Sequence, residues 1–195
     1  MPALIALAFL LAAPVPPRPS SAALRRAFEA GERALVEVHG HGPGGAGVLV
    51  GAQGQVLTAL RYVDADGANV RLGSTVLGAR LVLRSSALRV AILDMVGDGP
   101  YPAMAVRLET PEAGAWVVGI LLGRDGVAVP RLGRVIHAPG RDGPWLETTL
   151  QLPPGCPVLD VSGRLLGVVV EQRHATSLAV PLLAVQAELR MVGTQ

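Results

Sequence analysis

Residues 146–170 read LETTLQLPPGCPVLDVSGRLLGVVV, and this stretch decides the fold. The run at 165–170 is apolar and rich in β-branched residues, which predicts a buried strand. The preceding DVSG at 160–163 is typical of a tight turn, with glycine where a positive φ is needed. Residues 152–157 contain three prolines, one glycine and the only cysteine of the chain. The sequence therefore predicts a rigid loop that leads into a β-hairpin of the core.

The composition narrows the class of protein. The chain has 195 residues, of which 50% are hydrophobic and only 3% aromatic, so its core must be built from Val, Leu, Ile and Ala. All 17 basic residues are Arg, the net charge is +2 and the Arg residues are scattered, so no nucleic-acid partner is expected. One cysteine cannot form an internal disulfide. We expect no cofactor.

The N-terminal residues 1–23 resemble a signal peptide. The apolar run from Ala3 to Ala13 is too short to span a bilayer, and proline and small residues follow it. Cleavage is predicted near Ala22 or Ala23, which implies a periplasmic or secreted protein with no stable membrane insertion afterwards. The alternative is an N-terminus that is not cleaved.

Two helices and one histidine pair are predicted outside the hairpin. The pattern at 22–35 favours a short amphipathic helix, and that at 182–191 a C-terminal helix. His39 and His41 lie two residues apart, so on a strand they would face the same side, as ligands of a metal could. Nothing nearby supplies a third ligand, and a glycine-rich segment follows. We therefore predict a solvent-exposed loop and no metal site.

Motifs along the chain resemble trypsin-like serine proteases of the HtrA/DegP type. Residues 157–168 (PVLDVSGRLLGV) resemble the segment after the nucleophile of those enzymes. Residues 52–63 (AQGQVLTALRYV) resemble the strand and turn that deliver the catalytic histidine, and 88–93 (LRVAIL) the strand with the orienting aspartate. Two further segments, 113–120 (AGAWVVGI) and 176–181 (TSLAVP), resemble strands that open and end the second lobe.

This resemblance implies an all-β fold of two packed six-stranded β-barrels with short N- and C-terminal helices. The protease-like domain would cover residues 24–195, with lobe 1 at about 36–100 and lobe 2 at about 113–185. The motifs end at the C-terminal helix, so no PDZ domain is expected in this sequence.

The matched catalytic positions carry other residues than the family requires. Arg61 stands at the general base and Arg89 at the orienting acid. An ungapped match places Pro154 at the nucleophile. A match on Pro154-Gly155 instead leaves the loop, in which Cys156 comes next, about three residues short. Neither alignment supplies a serine. Arginine stays protonated and cannot act as a base, and the three catalytic groups work as a unit. We therefore predict a catalytically inactive homologue.

The sequence does not decide which group pairs with the two arginines, or which of two alternative functions the protein could have instead. Arg61 and Arg89 would repel each other in one cleft unless an anion paired with them, and the candidate partners are Glu147, Asp94 and Asp98. The alternative function is an active serine- or cysteine-type endopeptidase that uses Cys156 or Ser162, although a reactive thiolate needs a base or cation nearby. A third interpretation is a purely structural exported domain.

The predicted activity of an inactive homologue is binding. Substrates of the resembled family bind as an added strand along the second lobe, which implies a peptide or protein partner here. The matching edge is predicted at 172–177, and it contains no proline, so every backbone N–H would be free to pair. Its peptide-binding residues would be Arg173, His174, Ala175, Thr176 and Ser177. Arg61 and Arg89 would form a binding site for a carboxylate. The alternative is a cleft closed by packed side chains.

Overall fold

The computed structural model describes residues 16–123, 125–140 and 143–192. Residues 1–15 of the predicted signal peptide therefore lie outside the described residues. The chain forms two closed six-stranded β-barrels, in which all neighbouring strands are antiparallel. The predicted fold class is confirmed.

The first barrel has the strand order β1-β2-β3-β6-β5-β4, and a 3₁₀ turn at Leu60–Tyr62 follows β3. Its strands are β1 (Leu35–His39), β2 (Gly45–Leu49), β3 (Gln55–Ala59), β4 (Gly67–Leu72), β5 (Thr75–Ser85) and β6 (Val90–Met95). The second barrel repeats this order as β10-β11-β12-β9-β8-β7. Its strands are β7 (Trp116–Leu122), β8 (Ala128–His137), β9 (Leu146–Thr148), β10 (Pro157–Asp160), β11 (Leu165–Gln172) and β12 (Ser177–Pro181).

Helix α1 (Ser21–Ala34) precedes the first barrel and packs on the second. It begins at Ser21 because the Ser20 side chain accepts a hydrogen bond from the backbone N–H of Ala23 at 3.2 Å. Gly31, which is unfavourable in a helix, lies on the buried face. A Cβ atom there would lie 2.7 Å from Cγ1 of Ile120 in β7. The glycine thus allows close contact between the helix and the barrel.

Helix α2 (Leu182–Val192) follows the last strand and reaches back to the first barrel. Leu182 and Val185 are buried, whereas Leu189 is 38% exposed. The hydroxyl of Ser85, at the end of β5, donates a 2.6 Å hydrogen bond to Glu188 of α2. The C-terminal helix of the second barrel therefore also supports the chain that leads into β6.

The hairpin of β10 and β11 forms as the sequence predicts. Gly163 has a φ of +85°, and the carboxylate of Asp160 accepts hydrogen bonds from the backbone N–H groups of Ser162 and Arg164 at 2.9 and 3.0 Å. Burial alone would raise the pKa of Asp160, but hydrogen bonds from Ser162, Arg164 and Arg107 outweigh it and lower this pKa. The turn at the end of β10 thus contains a charged carboxylate, that of Asp160, whose oxygens accept hydrogen bonds from the turn.

Candidate functional site

A cleft of about 690 Å³ lies between the two barrels. Ala59, Leu60, Arg61 and Arg89 line it from the first barrel, and Pro154, Val170, Glu171 and Gln172 from the second. The three positions that the sequence matched to a catalytic triad therefore meet at one site. The volume between these residues is not filled by side chains.

Arg61 lies on the 3₁₀ turn that follows β3. Its side chain is exposed, and its guanidinium carbon lies 5.9 Å from the centre of the Tyr62 ring. Within the described part of the chain, no carboxylate forms an ion pair with it. Its positive charge is therefore available to the cleft.

Arg89 is held by several contacts in the same cleft. Its backbone has a φ of +57°, and its carbonyl oxygen accepts a 2.9 Å hydrogen bond from the N–H of Leu60. Its Nη1 lies 2.7 Å from Oε2 of Glu171, and its guanidinium carbon lies 4.7 Å from the centre of the Trp145 ring. The charge of Arg89 is thus paired across the cleft with a carboxylate of the second barrel.

The three predicted partners of the arginine pair are wrong, because none of them reaches the cleft. Glu147 accepts a 2.9 Å hydrogen bond from Thr176 and pairs with Arg173 at 3.6 Å. Asp94 accepts a hydrogen bond from the amide of Gln55 at 3.2 Å. Asp98 is exposed beyond the end of β6. One feature of the sequence could have indicated the observed partner of Arg89. Glu171 is the first acidic residue after the apolar run 165–170.

Glu171 joins the cleft to a chain of alternating charges on the second barrel. Hydrogen bonds from Arg89 and then from Arg173 lower its pKa below the ordinary value of 4.5. Nε of Arg173 lies 3.0 Å from Glu171, and its Nη1 reaches Glu147. Glu171 therefore stays ionised at neutral pH and is shared between Arg89 and Arg173.

The loop at the nucleophile position is a tight turn whose backbone donors are already used. Pro154 and Gly155, with a φ of +83°, occupy the centre of the turn, as a type II turn requires. The N–H of Gly155 donates to Val169 O at 2.7 Å, and that of Cys156 donates to Pro153 O at 3.4 Å. Residues 153, 154 and 157 are prolines and have no N–H. Residues 153–157 therefore have no free backbone donor that could stabilise an oxyanion.

Glycine is required at position 155 for a second reason, which is contact between the barrels. A Cβ atom at Gly155 would overlap the carbonyl oxygen of Ala46 in β2. That same carbonyl accepts a 2.7 Å hydrogen bond from the buried hydroxyl of Thr58. The turn is thus pressed against the first barrel, which fixes its place in the cleft.

The two alternative nucleophiles flank β10. Cys156 is 0% exposed, and burial raises the pKa of its thiol to about 12. Ser162 lies at the other end of β10, where its hydroxyl donates to Asp160 at 2.6 Å. Neither side chain lines the cleft.

Most of the predicted peptide-binding edge is not part of an extended strand. Residues 173–176 form the connection between β11 and β12, and the N–H of Arg173 is used within it by Thr176 O at 2.8 Å. Ser177 is buried, and its hydroxyl donates to the Leu150 carbonyl at 2.7 Å. The cleft is lined instead by the end of β11, residues 170–172. Among the described residues, strand β10 and the turn before it pair with β11 as far as Val169, and no strand pairs with residues 170–172 on the cleft side.

The histidine pair forms two separate contacts. Nε2 of His39 lies 3.0 Å from Glu37, and Nδ1 of His41 lies 2.6 Å from Asp64. Across the ranges that the structure describes, no three His, Cys, Asp or Glu side chains are grouped so as to hold a metal ion. In the same ranges, no helix is both long and apolar enough to cross a membrane.

Comparison with solved structures shows the fold of the chain. A serine endoprotease from Yersinia pestis superposes with a TM-score of 0.76 at 19% identity, over 90% of this chain and 67% of that one. Two structures of Rv3671c from M. tuberculosis H37Rv, both inactive forms and one a mutant, superpose with a TM-score of 0.75. Their identities are 22% and 23%, over 93% of this chain and 97% and 100% of theirs. No family model and no curated protein matches the sequence. The chain therefore has the double-barrel fold of trypsin-like serine proteases.

Proposed function

We propose that the protein is a catalytically inactive, exported homologue of trypsin-like serine proteases, of the HtrA type, that binds an extended peptide or protein segment in its cleft. The observation that carries the proposal is the turn at 153–157. It has no serine, and both of its backbone N–H groups are hydrogen-bonded within the protein. A protease of this fold needs a nucleophile and an oxyanion hole at that place.

The first-barrel side of the cleft supports the same proposal. Arg61 is permanently protonated and cannot accept a proton from a nucleophile. Arg89 carries the charge opposite to that of an orienting aspartate, and it is paired with Glu171. Cys156 gives no alternative, because its buried thiol stays protonated at neutral pH.

Labelling by a serine-reactive fluorophosphonate tests the absence of activity. The purified protein should stay unlabelled and should not degrade casein. An active trypsin-like protease in a parallel reaction should be labelled and should degrade casein. Labelling of the native protein but not of heat-denatured protein, together with turnover of casein, contradicts the proposal.

The open end of β11 supports peptide binding. An extended peptide beside residues 170–172 would continue the sheet from the point where the pairing with the preceding turn ends at Val169. The open edge is only three residues long, so we expect weak and sequence-tolerant binding. The expected Kd is in the micromolar range, which corresponds to a binding free energy of about −8 kcal/mol.

N-methylation of single peptide bonds in a bound peptide tests this mode of binding without altering the protein. Methylation at alternate positions should abolish binding, because only alternate N–H groups face the partner strand. Methylation at the positions between them is the matched control and should be tolerated. Equal effects at all positions contradict strand addition.

Export remains part of the proposal, with an earlier cleavage point than Ala22 or Ala23. Cleavage there would remove Ser20, which caps α1, and Pro16, whose carbonyl accepts a 3.1 Å hydrogen bond from Trp116. N-terminal sequencing of the protein from its native host should therefore begin at or before residue 16. A start between residues 20 and 24 contradicts the revised cleavage point, and an intact Met1 in the cytosol contradicts export.

A further inference from the structure

The charges that line the cleft differ in what they can still bind. Arg89 is paired with Glu171 at 2.7 Å, and Glu171 is bound on its other oxygen by Arg173. Among the cleft-lining residues that the structure describes, Arg61 is the charged side chain without an ion-pair partner. The cleft thus presents one available guanidinium, on the first-barrel side.

The open strand edge gives a bound peptide a direction. Strand β10 runs antiparallel to β11, with Pro157 opposite Val168. A peptide added antiparallel to β11 beside residues 170–172 would take the same line as β10, with its C-terminal end towards Val170. The Pro154-Gly155 turn lies at that end, because the N–H of Gly155 donates to the carbonyl of Val169. A peptide that continued straight along this line would meet the turn.

We infer that the cleft binds the carboxyl terminus of a polypeptide, with the terminal carboxylate on the guanidinium of Arg61. This inference rests on the peptide binding proposed above and names the end of the chain that is bound. A peptide that ends at the Pro154 turn places its carboxylate in the cleft that Arg61 lines. Guanidinium and carboxylate match in charge and in planar shape, and they form two parallel hydrogen bonds.

Competition between three peptide pools on the immobilised protein tests the inference. Each pool contains randomised decapeptides without other acidic residues, and the pools differ in one feature. The first ends in a free carboxylate, the second in a carboxamide, and the third in a carboxamide with one internal aspartate. The first pool should be retained about tenfold more strongly than either other pool, as expected for a charge-assisted hydrogen bond.

Three variants locate the effect. In R61A the preference for the free carboxylate should disappear, and in R61K it should be reduced, because an ammonium keeps the charge but lacks the planar fork. R131A is the matched control, because Arg131 is an exposed arginine that does not line the cleft, and it should keep the full preference.

The outcomes separate this inference from the proposed function. Equal retention of the first two pools overturns the inference and leaves peptide binding in place. Retention of the third pool equal to that of the first overturns the choice of the terminal carboxylate over a side chain. A preference that survives in R61A overturns the role of Arg61. Failure of the protein to retain any pool overturns the proposed peptide binding itself.

Discussion

Two turns of the first barrel each present an arginine to the same cleft, but the two arginine side chains are held differently. The turn at 60–62 leaves Arg61 exposed, with its guanidinium carbon 5.9 Å from the centre of the Tyr62 ring. The turn at 85–90 holds Arg89 at a positive φ, against Trp145 and against Glu171. The comparison teaches that residue type alone does not decide what a cleft can bind. Neighbouring elements decide which charge is already used.

The support of the 85–90 turn comes from three parts of the chain. The N–H of Leu88 donates to the hydroxyl of Ser85 at 3.0 Å, and this hydroxyl donates to Glu188 of α2. The N–H of Leu60 donates to the carbonyl of Arg89. The second barrel supplies Glu171 and Trp145. In the ranges that the structure describes, no ion pair holds the Arg61 side chain of the 60–62 turn, so the two sites should respond differently to substitution.

Ser85→Ala should have the largest effect, because it removes the centre of the 85–90 turn. Ser85 is 1% exposed, and its loss leaves the buried N–H of Leu88 and the carboxylate of Glu188 without this partner. We expect a loss of about 2–3 kcal/mol in the free energy of unfolding, as for an unsatisfied buried polar group. Urea denaturation followed by circular dichroism measures it.

Ser86→Ala is the matched control, since Ser86 is an exposed serine one residue further along the same turn. Its free energy of unfolding should change by less than about 0.5 kcal/mol. Equal effects of the two substitutions would mean that the hydroxyl of Ser85 does not support the turn.

The double barrel could be predicted from the sequence because short motifs occur in the order and spacing of a known fold. The DVSG turn and the apolar strand at 165–170 could also be predicted, since turn chemistry and β-branched residues act over a few neighbours. The short proline-rich turn was visible in the sequence, but its occupied N–H groups were not. The N–H of Gly155 donates to the carbonyl of Val169, which the fold places beside it.

The partner of Arg89 could not be predicted, because it lies on the other barrel. Glu171 is 82 residues further along the chain, and no local pattern connects the two positions. The end of β11 could not be placed from the sequence for a related reason. A bulge in β11 between Val169 and Glu171, and the pairing of Gln172 with Ser177, set where the strand ends.

Acid should remove the difference between the two arginines. Hydrogen bonds from Arg89 and Arg173 lower the pKa of Glu171, so the stability that this carboxylate contributes is present above its ordinary value of 4.5. It is lost as the pH falls through the lowered pKa, and Arg89 is then released. Because Arg89 lies over Trp145, we expect the fluorescence of Trp145, measured in a Trp116→Phe background, to change below pH 4.5.

Glu171→Gln in the same background is the control for the acid titration. It removes the charge of this one group, whereas Asp160, whose pKa is also lowered, still titrates. The fluorescence transition should therefore be absent, and the free energy of unfolding at neutral pH should fall by about 0.5 kcal/mol, as for a partly exposed ion pair. A transition that persists in Glu171→Gln would assign the change to another group.

The smallest effect on stability is expected for Arg61→Ala. Arg61 is exposed, and its contact with the Tyr62 ring at 5.9 Å is at the outer limit of a cation–π interaction. We expect a change of less than about 0.5 kcal/mol in the free energy of unfolding. Arg89→Ala should cost about 1–2 kcal/mol, because it removes both the ion pair and the stacking on Trp145. Urea denaturation of both variants under one set of conditions compares them directly. If Arg61→Ala destabilised the protein as much as Arg89→Ala does, Arg61 would be a structural residue, and its charge would not be available to a ligand.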